Sequence, residues 1–118
     1  MFGLASAVAA QAPTKIADGL YVIIHKDATA DWPQGNTTLV IGDSAVLVVD
    51  SGYLPSTARA DIAAIRALTP VPVRYLVNTH WHYDHHNGNA VTRLKVLAQG
   101  ASRDLWVRCA GWLTPSLK

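Results

Sequence analysis

Hydrophobic positions along the chain fall into short runs separated by turn residues. Leu20-Tyr21-Val22-Ile23-Ile24-His25 is rich in β-branched and aromatic side chains and predicts a strand. Residues 28–36, with Trp32-Pro33-Gln34-Gly35, read as a loop. Thr37-Thr38-Leu39-Val40-Ile41 and Ala45-Val46-Leu47-Val48-Val49-Asp50 predict two further strands. Gly42-Asp43-Ser44 between them is turn chemistry, so the two should form a hairpin. The second run is apolar up to Asp50, the pattern of a strand buried on both faces. It stops at Asp50-Ser51-Gly52. A carboxylate at the tip of a buried strand is costly without a partner, unless Asp50 merely caps the following turn.

Pro55-Ser56-Thr57 opens a helix, with Ser56 or Thr57 as N-cap. Ile62, Ile65 and Leu68 form its apolar stripe, and Thr69-Pro70-Val71-Pro72 ends it. Val73-Arg74-Tyr75-Leu76-Val77 predicts the next strand. Strand, helix, strand makes the flanking strands parallel neighbours. Further on, Val91, Leu94 and Leu97 or Ala98 are spaced for an amphipathic helix, with Gly100 as its stop. The fold class is α/β: a mixed sheet with the 57–68 helix on one face. A length of 118 residues, 50% of them hydrophobic, allows one domain with a modest core.

The candidate chemistry lies just past the 73–77 strand. Asn78-Thr79-His80-Trp81-His82-Tyr83-Asp84-His85-His86-Asn87-Gly88-Asn89 holds four of the five histidines. Three histidines and an aspartate within His-x-His-x-Asp-His are hard to explain as packing or surface residues. Imidazole and carboxylate together suit zinc or iron. Alternate positions of extended chain point to one side, so a tight loop can aim His80 and His82 at one metal. Asp84 and His85 fall one step beyond, placed for a second. Two metals about 3.5–4 Å apart can clamp a hydroxide and polarise a carbonyl or phosphoryl oxygen. The bland reading is a histidine-rich surface loop without metal. His25 has no ligand type beside it in sequence and reads as structural.

Thr79-His80-x-His82-x-Asp84-His85-x-x-Gly88-Asn89 resembles the signature of the metallo-β-lactamase-fold hydrolases. The resemblance covers residues 16–90. It implies that His80 and His82 bind one metal and Asp84 and His85 a second, with Asp84 also engaged in the catalytic step. It implies a supporting role for Asp50 behind the metal loop, and a loop around Trp32 that overhangs the site, although a packed surface tryptophan fits Trp32 as well. The implied cofactor is zinc, two ions in the complete protein, with iron or manganese as alternatives. The implied reaction is attack of a metal-bound hydroxide on an ester, thioester, amide or phosphoester of a small-molecule substrate. His85 after Asp84, where one lactamase branch has arginine, favours the broader hydrolase branches. The implied fold is the N-terminal part of an αββα sandwich. The family takes further ligands from downstream histidines and an aspartate, and no histidine follows His86 here. His86 is a poor substitute, because a neighbour of His85 points elsewhere. A non-catalytic, vestigial metal-binding domain is therefore the alternative function.

Charge and the termini adjust this picture. A net charge of +2 is too weak to argue for nucleic acid. Arg93, Lys95, Arg103, Arg108 and Lys118, interleaved with Trp106 and Trp112, form no modular pattern for it either. Cys109 is the single cysteine, so no internal disulfide forms. Residues 1–12 are small and apolar and end in Ala10-Gln11-Ala12-Pro13. They resemble the remnant of a secretory signal peptide and imply a periplasmic or secreted protein, with a cytoplasmic one as the alternative. The segment is too short to span a bilayer, and no membrane partner is expected. Residues 91–118 form a divergent tail. From 101 on, its mixture of Arg, Trp, Ser, Gly and Ala fits an out-of-frame reading of a GC-rich gene, against a genuine divergent C-terminus. Half a sandwich would also expose an apolar face, so self-association is expected.

Overall fold

The structure, a computed structural model, describes residues 11–28 and 31–98. The expectations for residues 101–118 and for most of the 1–12 segment lie outside the described residues. Six strands form one sheet in sequence order. They are β1 (Thr14–Ala17), β2 (Leu20–Ile23), β3 (Thr37–Ile41), β4 (Val46–Val49), β5 (Val73–Asn78) and β6 (Lys95–Ala98). β1 to β4 are antiparallel neighbours, whereas β5 lies parallel to β4 and β6 parallel to β5. The predicted hairpin and β-α-β unit are both present: Leu39 faces Val48, and Val49 faces Val77. β1 has no sequence signature, because all four of its residues are exposed.

Helix α1 (Pro55–Leu68) connects β4 to β5 and covers one face of the sheet. Side chains of period two from the strands meet side chains of period 3.6 from the helix there. Ile23, Leu39, Val46, Val48 and Leu76 pack with Ile62 and Ile65 to make the core. Leu68, at the end of the expected stripe, remains 38% exposed. The helix begins two residues earlier than a Ser56 cap indicates and three earlier than a Thr57 cap. Leu54 is the N-cap, without a side-chain cap, and Pro55 occupies the first turn. Proline's fixed φ and missing N–H suit that position, which removes the need for a Ser56 or Thr57 cap.

Two further expectations are corrected. β4 is not buried on both faces: Val46 and Val48 are buried, but Leu47 and Val49 are only half-buried. On their side of the sheet, Val40 and Tyr75 are 42% and 39% exposed. The long helix after the motif is also absent. Helix α2 (Tyr83–His86) and helix α3 (Asn89–Thr92) are single turns. Arg93 adopts a left-handed conformation with φ 55°, and the chain then enters β6. A short apolar period cannot hold a helix against the unpaired N–H and C=O groups along the edge of β5, which β6 satisfies.

Candidate metal centre

Parallel pairing of β4 and β5 brings their C-terminal ends to the same edge of the sheet. The Asp50 N–H donates to the Val77 carbonyl at 2.8 Å, which sets Asp50 beside the start of the motif. Residues 79–82 form the loop above this edge, and α2 carries Asp84 and His85 back over it. Buried polar groups tie the turn down. Asn89 Nδ2 donates to Asn78 Oδ1 at 2.6 Å, and Ser51 Oγ donates to Asn89 Oδ1 at 2.6 Å. The His85 carbonyl accepts from Ser51 N–H at 2.9 Å and Asn78 Nδ2 at 3.1 Å. Gly88 packs so closely on the Ser51 carbonyl and the Ala58 Cβ that a side chain there would overlap both.

Asp50 is 4% exposed and finds the partners that its burial demands. Its Oδ1 accepts from the Thr79 N–H at 2.8 Å. Its Oδ2 accepts from Thr79 Oγ1 at 2.8 Å and faces His85 Nδ1 at 2.8 Å. The residue holds φ 62°, a left-handed conformation that aspartate tolerates better than most side chains. This network fixes two tautomers. His85 Nδ1–H donates to Asp50. The Thr79 hydroxyl is spent on Asp50, so at 2.9 Å His80 Nδ1–H donates to Thr79 Oγ1. Both rings therefore turn Nε2 towards the candidate centre.

Those nitrogens meet further metal-ligand types. His80 Nε2 lies 3.0 Å from His82 Nδ1, and His85 Nε2 lies 3.1 Å from Asp84 Oδ2. The His80 and His85 rings are 4.1 Å apart between centroids, so the two pairs adjoin. Two atoms on one tetrahedral zinc with bonds of ~2.0–2.1 Å lie roughly 3.3 Å apart. Donor type and spacing thus fit an ion at each pair, but the donor number does not complete a site. Among the described residues, no group of three or more His, Cys, Asp or Glu side chains is arranged to hold a metal. His86 stands apart, with its ring beside Tyr83 at 5.7 Å. Trp32 is 57% exposed and stacks on Tyr53 at 6.0 Å and 7°.

Sequence reading assigns His25 a structural place but misses its partners. Its Nδ1 contacts the Gly35 carbonyl at 2.8 Å and its Nε2 contacts Asp61 Oδ1 at 3.0 Å. Asp61 Oδ2 accepts from Thr37 Oγ1 at 2.8 Å. Burial opposes the charge on His25, but the Asp61 hydrogen bond, the Gly35 carbonyl and the Asp61 charge outweigh it and raise its pKa above the usual 6.5. A half-polar helix position (Asp61) and a loop glycine carry no signal that they meet a histidine some distance away in sequence.

The family model of the metallo-beta-lactamase superfamily matches residues 30–93, more than half of the chain. The chain belongs to the metallo-beta-lactamase superfamily. Solved members share its fold. The metallo-beta-lactamase FIM-1 from Pseudomonas aeruginosa, solved in a mono-zinc form, aligns at TM-score 0.71 and 21% identity over 81% of this chain and 45% of its own. The metallo-beta-lactamase from Hirschia baltica aligns at 0.70 and 16% identity, over 83% and 47%. That from Erythrobacter litoralis aligns at 0.70 and 22% identity, over 90% and 48%. The chain thus spans about half the length of these relatives, and its six-stranded mixed sheet is the α/β arrangement they contain.

Proposed function

We propose that this superfamily member carries part of the metal site of a zinc-dependent hydrolase. His80 and His82 would hold one ion, and Asp84 and His85 a second, with iron or manganese as alternative metals. The observation that carries the reading is the Asp50 network. It takes up the Nδ1 protons of His85 directly and of His80 through Thr79, so each ring offers Nε2 to the centre. A carboxylate or hydroxyl behind a ligating histidine fixes its tautomer and orientation. The mono-zinc form of the FIM-1 relative supports zinc as the ion.

A zinc ion bound there would supply Lewis acidity for an ester, thioester, amide or phosphoester and would acidify water near neutral pH. The protein's own residues do the rest. Asp50 keeps two imidazoles in the ligating tautomer. Asp84, half-buried and 3.1 Å from His85 Nε2, supplies a negative charge at the side of the centre where a proton must be handled. Trp32 on Tyr53 gives an exposed aromatic face on the preceding loop for a small-molecule substrate. Zinc titration followed by elemental analysis tests the reading: replacing His80 and His82 by alanine should abolish uptake at one pair and leave uptake at the other. A second reading, a non-catalytic metal-binding domain, is favoured by the count of two donors per ion. Catalytic zinc sites hold three protein ligands. Both readings predict little hydrolysis of a generic thioester by the zinc-loaded chain alone, and ordinary turnover there would exclude the second.

A further inference from the structure

The buried His25–Asp61 pair is not part of the centre, yet it is joined to it through one residue. His25 and Asp61 side chains are 3% and 5% exposed. Both ring nitrogens face acceptors that carry no proton: a peptide carbonyl at 2.8 Å and a carboxylate at 3.0 Å. Donation to both at once takes both ring protons, so this geometry suits an imidazolium facing a carbonyl and a carboxylate. The acceptor on the Nδ1 side is the Gly35 carbonyl. The N–H of Gly35 in turn donates to the Asp84 carbonyl at 3.0 Å. A Cβ built on Gly35 would lie 2.7 Å from the Asp84 carbonyl oxygen and 2.9 Å from the His85 ring, so loop and motif touch without spare room. The His25 N–H also donates to Asn36 Oδ1 at 2.9 Å, holding the same loop from a second point.

We infer that His25 is a positioning residue for the metal motif: its doubly donating ring, anchored on Asp61 of α1, fixes the Gly35 peptide against Asp84 and His85. The ring lies between helix and loop, so it transmits the placement of α1 to the motif. Among the described residues, Asp61 is the ionisable group within hydrogen-bond reach of the ring. Thr37 offers Asp61 a hydroxyl, Gly35 offers a carbonyl, and the His85 ring lies on the far side of Gly35. Glutamine cannot reproduce this bridge, because its donors and acceptor sit on one end of a flexible chain rather than on opposite edges of a ring. The inference deepens the proposed metal site but is tested first without metal.

The test compares the 118-residue chain with His25→Gln and with Ile65→Val, a core change that loosens α1 without touching the bridge. Nitrogen NMR of the His25 ring should show both nitrogens protonated at pH 7. Amide exchange at Gly35 should quicken at least tenfold in His25→Gln beyond any change in Ile65→Val at the same margin below the melting temperature. Zinc affinity should fall in His25→Gln by a larger factor than in Ile65→Val. A neutral His25 ring at pH 7, or equal Gly35 exchange in the two variants, would overturn the inference. If no variant, nor the parent, binds zinc, the metal reading fails, while the ring and exchange results still decide the role of His25.

Discussion

Replacing Asp50 by asparagine isolates the tautomer argument. The substitution keeps volume and suits φ 62°, since asparagine visits the left-handed region as readily as aspartate. It removes the charge and one acceptor. In the parent, Asp50 accepts from the Thr79 N–H, the Thr79 hydroxyl and His85 Nδ1, each at 2.8 Å. The amide oxygen can keep the Thr79 N–H, but the amide NH2 then faces His85 Nδ1 and the Thr79 hydroxyl. A donor there pushes the His85 proton to Nε2, the atom meant for metal. Hydrogen bonds to charged groups contribute about 1.5–3 kcal/mol and neutral ones about 0.5–1.5. Thr79 is exposed, so water replaces part of its loss, and a net destabilisation of about 1–3 kcal/mol follows. For a domain of this size that lowers the melting temperature by roughly 4–8 °C per kcal/mol. Zinc affinity should fall more sharply, by about 10–100-fold, as for lost partners behind ligating histidines. Thermal melts paired with zinc titrations measure both. An Asp50→Asn chain that melts lower but binds zinc within twofold of the parent would refute the tautomer reasoning.

Gly35→Ala should perturb the motif from outside it, because the new methyl meets the Asp84 carbonyl and the His85 ring at under 3 Å; weaker zinc binding with largely retained secondary structure by circular dichroism is the expected result. The raised pKa of His25 means that its ion pair stabilises the fold fully below about 6.5, the unfolded value, and that this contribution is lost as pH rises through the folded value. Urea midpoints should therefore drift down as pH rises above about 6.5, and His25→Gln should flatten that drift. The half-open apolar face around Leu47, Val49, Val40 and Tyr75 should make the chain associate with itself, seen as concentration-dependent elution in sizing and reversed by Tyr75→Lys.

Much of the fold was legible because its signals are local. Alternating or continuous apolar runs bounded by Gly-Asp-Ser and Thr-Pro-Val-Pro marked β3, β4, α1 and β5, and their parallel crossover followed from chain order. What failed depended on neighbours. The segment after the motif has helical spacing, yet the exposed edge of β5 converted it to a strand. The apolar β4 run indicated burial on both faces, whereas α1 covers only one. At the site, the motif brought its own four residues together, and burial showed that Asp50 needs a partner, while only the family resemblance implied that the metal loop supplies it. Gly35, Asp61 and the Ser51–Asn78–Asn89 network were invisible, since each works through a contact that sequence distance hides.

Metal uptake by the 118-residue chain tests the central claim most directly. Cobalt can stand in for zinc and reports ligation through its visible absorption. Titration of the parent should give a weak signal, well short of stoichiometric at micromolar metal, because the proposed site offers each ion two protein donors among the described residues. The signal should drop in His80→Ala/His82→Ala and again when Asp84 and His85 are also replaced, with little hydrolysis of a generic thioester throughout. A spectrum that is unchanged after all four replacements would contradict the assignment of the ligands. Near-stoichiometric metal with ordinary enzymatic turnover in the parent would contradict the account of a half-built centre.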